Sequence, residues 1–167
     1  MTTQGNFPLG GQESKPGRAT ATCYCGTVQI EVATQKPDLV DTFICNCSDC
    51  RKITASMFAS NFIVTESSTL HLKGQDKLTR YAQSNTIDSG SEMANYFCSV
   101  CGTLMYRKSS GFPGKLVTRI GTVDDYSLHE GALKPRVEQF CKDRVKWLEG
   151  GEGVEQQEGN YYDPRNS

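Results

Sequence analysis

The stretch Cys45-Asn46-Cys47-Ser48-Asp49-Cys50-Arg51-Lys52 places three thiols within six residues and follows them directly with two cations. Cysteines at this spacing are suited to sharing one metal ion, and no fourth cysteine lies nearby in the sequence. Three close ligands without a fourth are typical of an open, reactive zinc site. We therefore expect Cys45, Cys47 and Cys50 to bind one zinc ion and to form a catalytic centre with one position left for a substrate.

A second group of cysteines comes from two turns that are far apart in the sequence. Its members are Cys23, Cys25, Cys98 and Cys101. Four sulfur ligands match the closed tetrahedral set of a structural zinc site. A redox-active C-x-x-C pair and plain buried cysteines are the alternatives, but no βαβ pattern surrounds Cys98, which weakens the redox interpretation. We expect a structural zinc that fastens the first strand to a late hairpin.

The three-cysteine group leaves alternatives open. Cys141, the eighth cysteine, or one of the two histidines, His71 and His129, could close it as a second structural zinc site, or it could bind no metal. An isolated cysteine such as Cys141 is more often a small buried hydrophobic residue than a ligand. The histidines lie in ordinary strand or loop contexts, and we expect neither to be catalytic.

Composition narrows the class of protein. The chain has 167 residues and a formal net charge of −1, so no basic field favours nucleic acid or membrane binding. Residues 1–18 are polar and lack the apolar segment of a secretory signal, which predicts a cytoplasmic protein. Clustered cysteines in that compartment bind metal more often than they form disulfides. We expect a flexible N-terminal tail over residues 1–18, a zinc-binding β domain over 19–148, and a loose C-terminal tail over 149–167.

Alternating apolar residues predict short strands separated by turns. Residues 27–32 alternate strictly, as a half-buried strand does, and similar segments recur along the chain. Leu70–Lys73 and residues 78–81 flank a Gly-Gln-Asp turn and predict a β-hairpin. Ser48 and Asp49 are expected to cap a short helical turn. The sequence thus predicts a mainly antiparallel β domain.

The ligand types indicate a class of chemistry. Three thiolates make zinc a poorer Lewis acid than three neutral histidines do, and soft ligation favours a fourth sulfur ligand. A thiol bound there would lose its proton and become the nucleophilic thiolate. Arg51 and Lys52 are candidates to hold a substrate carboxylate, with ordinary surface charge as the alternative. Met57, Phe58 and Phe62 are candidates for a pocket wall, of which Phe58 is the proposed substrate-binding residue, with simple core packing as the alternative.

The cysteine motifs resemble those of the glutathione-dependent formaldehyde-activating enzyme family, which includes centromere protein V-like proteins. The matching segments are residues 23–26, 45–51, 97–103, 121–124 and 146–147. The resemblance implies a β-tent of packed antiparallel sheets, with a structural zinc on the four-cysteine group and a second zinc on the three-cysteine group. In that family histidine commonly lies between the paired cysteines, where this chain has Tyr24 and Asn46, and Cys141 is outside the motif.

Two functions follow from these observations. The first is a carbon–sulfur lyase of the S-(hydroxymethyl)glutathione synthase type, which the resemblance implies. It would add glutathione or another thiol to a small carbonyl compound such as formaldehyde, or cleave a related glutathione adduct. The second is a non-catalytic, zinc-stapled protein-binding module with both sites closed. The expected partners of the enzyme are a small thiol and a carbonyl compound, and an oligomeric assembly is compatible with the sequence.

Overall fold

Two packed β-sheets with two short helices form the part of the chain that the computed structural model describes, residues 13–161. The smaller sheet is antiparallel, in the order β1 (Arg18–Thr22), β2 (Gln29–Ala33) and β5 (Leu70–Lys73). The helices are α1 (Ser48–Thr54) and α2 (Ser127–Glu130). Within residues 13–161 no helix has the length and apolar character needed to cross a membrane.

The larger sheet has eight strands, in the spatial order β11 (Glu155–Gln157), β10 (Val137–Gln139), β3 (Leu39–Cys45), β4 (Ala59–Thr65), β9 (Lys115–Arg119), β8 (Leu104–Ser109), β7 (Met93–Cys98) and β6 (Leu78–Gln83). Neighbouring strands are antiparallel, except that β10 runs parallel to both β3 and β11. The expected mainly β architecture of packed sheets is confirmed.

The main core lies between the two sheets. Strands β1 and β2 bury alternate side chains, as the alternating sequence predicts. These residues pack against one face of the larger sheet, and the largest fully buried members of the core are Phe62, Ile30, Met105, Leu116 and Leu133. Each large apolar side chain that is fully buried stabilises the fold by about 1.5–3 kcal/mol.

A smaller apolar cluster covers part of the opposite face of the larger sheet. It contains Phe43, Cys45, Cys50, Ala59 and Val137. Cys50 belongs to α1, so this helix packs on the face that points away from the smaller sheet. The three-cysteine stretch therefore lies outside the main core, on the face of the larger sheet that points away from the smaller sheet. We call this face the second face.

The predicted hairpin between Leu70–Lys73 and residues 78–81 is wrong, because β5 pairs with β2 and β6 pairs with β7. Gly74 between them has φ 67°, and a 3₁₀ turn over Gln75–Lys77 follows it. A Cβ atom at Gly74 would lie 2.1 Å from the carbonyl oxygen of Thr27, so only glycine fits. The chain therefore crosses from one sheet to the other at this point instead of folding back on itself.

The structure describes only the end of the predicted N-terminal tail but most of the predicted C-terminal tail. Most of the expected N-terminal tail, residues 1–12, lies outside the described residues, whereas Ser14 donates hydrogen bonds to Asp125 through its backbone nitrogen and its hydroxyl group. The expected loose segment 149–167 is described as far as residue 161. Glu155–Gln157 adds strand β11 to the sheet, and Tyr161 packs on Phe43. The sheet thus extends beyond residue 148, because β10 offers a free edge for a further strand.

Asp41 gives the C-terminal end of the described chain a pH-dependent anchor. Its carboxylate accepts hydrogen bonds from Arg136 at 2.8 and 3.0 Å, from the Tyr161 hydroxyl at 2.9 Å and from the Thr42 backbone nitrogen at 2.9 Å. Burial acts to raise the pKa of Asp41, but these hydrogen bonds outweigh it and lower the pKa below its ordinary value.

Replacing Asp41 by asparagine is expected to lower the free energy of unfolding by about 1 kcal/mol at pH 7. A lowered pKa in the folded state means that this stabilisation is present above the unfolded pKa of about 4 and is lost as the pH falls through the folded value. The difference between the two proteins in urea unfolding should therefore disappear at low pH. An equal difference at pH 7 and pH 2 would contradict the assignment.

Candidate metal centres

The four-cysteine group brings its sulfur atoms within 4.8 Å of one another. The Sγ atoms of Cys23 and Cys25 are 3.6 Å apart, and those of Cys25 and Cys98 are 3.8 Å apart. Each turn closes through a glycine nitrogen: Gly26 donates to the Cys23 carbonyl at 2.9 Å, three residues back, and Gly102 donates to the Cys98 carbonyl at 2.8 Å, four residues back. Both glycines have positive φ, at 73° and 76°, which is the backbone conformation these turns require.

This group connects the two sheets. Cys23 directly follows β1 of the smaller sheet, and Cys98 ends β7 of the larger sheet. Burial acts to raise the pKa of Cys101, but hydrogen bonds from Thr103 outweigh it and lower that pKa to about 6. Four clustered sulfur atoms, two of them on fully buried cysteines, fit a closed site for a soft divalent ion such as Zn²⁺.

The three-cysteine group is assembled where β3 ends and α1 begins. Cys45 is the last residue of β3, Cys47 is the N-cap of α1, and Cys50 lies in the first turn of that helix. All three Sγ atoms lie within 4.8 Å of one another, and the Cys45 thiol donates to Cys47 Sγ at 3.4 Å. The Cys50 backbone nitrogen donates to Cys47 Sγ, also at 3.4 Å. The expected capping by Ser48 or Asp49 is wrong, because the thiol of Cys47 takes that position.

The pKa values of the three thiols are shifted in different directions. Hydrogen bonds from Cys45 and Cys47, and then the positive charges of Arg107 and Arg119, lower the pKa of Cys50. Hydrogen bonds with Cys47 and Cys50, together with burial, raise the pKa of Cys45. Three converging sulfur atoms fit a soft ion such as Zn²⁺, and Cys50 is the one whose thiolate form is favoured.

A buried polar network holds the loop between Cys45 and Cys47. Asn46 is 1% exposed, and its side-chain nitrogen donates to Glu138 Oε1 at 2.8 Å. The other oxygen of Glu138 accepts from Arg144 at 2.9 Å. Because β10 pairs with β3, Glu138 is placed beside this loop, and the network fixes the backbone between two sulfur ligands.

Two arginines that sequence reasoning missed lie against the three-cysteine group. Arg107 Nη1 donates to Cys50 Sγ at 3.5 Å. Arg119 is 6% exposed, its Nη1 donates to Asn61 Oδ1, and it interacts with the charge of Cys50. Burial and repulsion by Arg107 lower the pKa of Arg119 to about 10, so both side chains carry charge at neutral pH.

A cleft of about 430 Å³ is lined by Cys101 of the four-cysteine group, whereas Cys45, Cys47 and Cys50 do not line it. It is bounded by the end of α1, the start of β4, the turn after Cys101, and the segment that begins at Arg119. Thr54 lines the cleft, and its hydroxyl donates to the Cys50 carbonyl at 2.7 Å. Arg119 lines the cleft and interacts with Cys50, so this side chain connects the cleft to the three-cysteine group.

The predicted substrate-binding residues are placed differently from one another. Phe58 lines the cleft, whereas Arg51 and Lys52 are not among its lining residues. Arg51 donates to the Asp143 carbonyl at 3.3 Å and to Met57 Sδ at 3.7 Å, and Lys52 is exposed. Phe62 is fully buried in the main core, so the idea that it walls a pocket is wrong. The substrate roles of Phe58, Arg51 and Lys52 stay predictions.

The side chains that could have closed the three-cysteine group lie elsewhere. The Cys141 thiol donates to the Glu138 carbonyl at 3.4 Å, His71 hydrogen-bonds the Tyr106 hydroxyl at 3.1 Å, and His129 contacts the Val123 carbonyl at 3.2 Å. Among residues 13–161, no other histidine, cysteine or carboxylate places a ligand atom within this group. The closed-site alternative is therefore not favoured.

Comparison with known proteins assigns the chain to a family. The model of the family described as glutathione-dependent formaldehyde-activating enzyme matches residues 18–143, and the chain belongs to this family. None of the curated protein sequences matches the chain. The crystal structure of a Rhodobacter sphaeroides protein is similar with a TM-score of 0.50 and 19% identity, covering 83% of this chain and 98% of that one. At this identity the similarity supports the fold alone.

Proposed function

We propose that this protein is a zinc-dependent enzyme that adds a thiol to a small carbonyl compound, or cleaves such an adduct in reverse. Glutathione and formaldehyde are the reactants that the family description suggests. The observation that carries the proposal is a cluster of three sulfur ligands, Cys45, Cys47 and Cys50, with no fourth ligand among the described residues. Arg119, which interacts with Cys50, lines a cleft that would admit the reactants. We also propose that the four-cysteine group holds a structural zinc, and that the enzyme works in the cytoplasm.

The reaction needs no oxidant or reductant. The sulfur of the thiol forms a bond to the carbonyl carbon, the π electrons of the carbonyl group move to its oxygen, and the proton of the thiol ends on that oxygen. A zinc ion at the three-cysteine group would supply a position where a thiol binds as thiolate, the nucleophilic form.

The residues of the chain have defined tasks in this proposal. Cys45, Cys47 and Cys50 hold the ion, and Arg107 reduces the negative charge on Cys50 through its hydrogen bond. Ile53 and Phe58 line the cleft and would shield the reactants from water. Since formaldehyde and thiols also combine unaided, the protein needs to supply only positioning and a stabilised thiolate.

The test is the rate of S-(hydroxymethyl)glutathione formation from glutathione and formaldehyde, measured by exchange NMR. We compare buffer alone, the wild-type protein, and Cys47→Ser, which removes one sulfur ligand. The rate with the wild-type protein is expected to exceed the rates in buffer and with Cys47→Ser, and these two rates should be equal. Equal rates in all three samples would end the formaldehyde version of the proposal.

A further inference from the structure

A row of polar side chains crosses the second face of the larger sheet behind the three-cysteine group. Asn61 of β4 pairs in register with Arg119 of β9, and Arg107 of β8 pairs with Asn95 of β7. Arg107 also pairs with Val117, which lies two residues before Arg119, so both arginines are on the same face. Asn61, Asn95 and Arg119 are each at most 6% exposed. This face therefore carries two positive charges in a region that an ordinary sheet would fill with apolar residues.

The two guanidinium groups keep unused hydrogen-bonding capacity. Among the described residues, Nε and Nη2 of Arg119 and Nε of Arg107 are shielded from solvent and have no hydrogen-bond partner. No acidic side chain in residues 13–161 forms an ion pair with either arginine. Nη1 of each arginine has a partner, Cys50 for Arg107 and Asn61 for Arg119. Buried polar groups are nearly always hydrogen-bonded, so the remaining donors without a partner indicate a ligand.

Charge counting identifies the sign of that ligand. Three thiolates and one divalent ion carry a formal charge of −1, and the two arginines bring the sum to +1. One further monoanion would make the whole buried site neutral. A neutral thiol would leave the excess positive charge uncompensated, whereas a thiolate removes it.

We propose that Arg119, together with Arg107, forms an anion-binding site that makes the three-cysteine centre bind its substrate as a thiolate. This inference rests on the proposed function and adds to it the residues that select the charge of the substrate. Arg119 has the larger role, because it lines the cleft through which a substrate would reach the centre. Its unpartnered N–H groups would face the negative charge of the incoming sulfur and of the carbonyl oxygen as the bond forms.

The test is a titration of the cobalt-substituted full-length protein with 2-mercaptoethanol, whose only ionisable group is the thiol. Binding is followed by the change in cobalt–thiolate absorption. Arg119→Met, which has a similar volume, is expected to raise the dissociation constant by about tenfold or more, because a close charge is lost. Arg119→Lys should restore part of the affinity. Arg18→Met is the control, because it removes the same charge from the smaller sheet, where Arg18 pairs with Glu31 at 3.0 Å. This variant should have the wild-type dissociation constant.

The outcomes separate the inference from the function on which it rests. Equal affinity in the wild-type protein, Arg119→Met and Arg119→Lys would overturn the arginine assignment and leave the enzyme proposal intact. Absence of any spectral change with the wild-type protein would overturn the open site, and the arginine inference with it. Cobalt content and circular dichroism of each variant identify a folding defect. If Arg119→Met fails to fold, Arg119→Gln takes its place, and a folded Arg119→Gln protein with the full wild-type affinity would overturn the arginine assignment.

Discussion

Replacing Cys98 by serine is expected to abolish metal binding at the four-cysteine group and to unfold most of the protein at 25 °C. Cys98 is fully buried, and its group joins β1 of the smaller sheet to β7 of the larger one. Structural zinc sites contribute about 10–16 kcal/mol of apparent binding free energy at pH 7, and this free energy is coupled to folding. Whole domains have a free energy of unfolding of only about 5–15 kcal/mol. The binding free energy that is lost with the ion is therefore comparable to the entire stability of the domain.

The measurement is circular dichroism together with zinc content after purification. Cys141→Ser is the matched control, because Cys141 is a cysteine that belongs to neither group. It should keep both metal ions and the wild-type unfolding temperature to within a few degrees. A folded Cys98→Ser protein that still carries two zinc ions would show that the four-cysteine group does not hold the sheets together.

The sequence could predict the parts of the site that depend on local spacing. Cysteines two or three residues apart bring their sulfur atoms together in a tight turn, which gives the three-cysteine group and each half of the four-cysteine group. The two halves were grouped because a closed zinc site needs four ligands. The alternation in residues 27–32 likewise predicted a half-buried strand, which the structure places at Gln29–Ala33, since side chains alternate between faces whatever the partner strand is.

The parts that depend on strand pairing could not be predicted in this way. Arg107 and Arg119 meet only because β8 and β9 are neighbours in a particular register, and each arginine alone is an ordinary strand residue in the sequence. Glu138 reaches Asn46 only because β10 pairs with β3 in parallel across a long connection. The hairpin error at Gly74 has the same origin, because a turn motif does not state which sheet the next strand joins.

The resemblance helped where the residues alone did not. The family assignment is confirmed over residues 18–143, and it implied packed sheets before any pairing was known. It did not indicate the two buried arginines. Arg51 and Lys52 were candidates because of their charge beside the cysteines, and they do not line the cleft. Which charged strand residues are buried near the three-cysteine group depends on the order of the strands in the sheet, and the sequence does not give that order.

Replacing Cys50 by serine is expected to reduce the zinc content from two ions to one per chain and to remove the response to thiols, while the protein stays folded. Cys50 is fully buried, and it is the thiol of its group whose pKa is lowered and which accepts from Arg107. Its group lies on the outer face of one sheet and joins β3 to α1, so the two sheets remain connected through the four-cysteine group. A stability loss of about 1–3 kcal/mol, mainly from the uncompensated charge of the arginines, is expected.

Metal analysis and the cobalt spectrum distinguish this result from general damage. The Cys50→Ser protein should show the absorption of a single four-sulfur cobalt site, unchanged by glutathione at millimolar concentration, whereas the wild-type spectrum should shift. A folded Cys50→Ser protein beside an unfolded Cys98→Ser protein is the stronger evidence. The two substitutions are chemically identical and differ only in the cysteine group to which the residue belongs. If Cys50→Ser unfolds as completely as Cys98→Ser, the three-cysteine group stabilises the fold as a structural site does, and an open catalytic position there loses its physical basis.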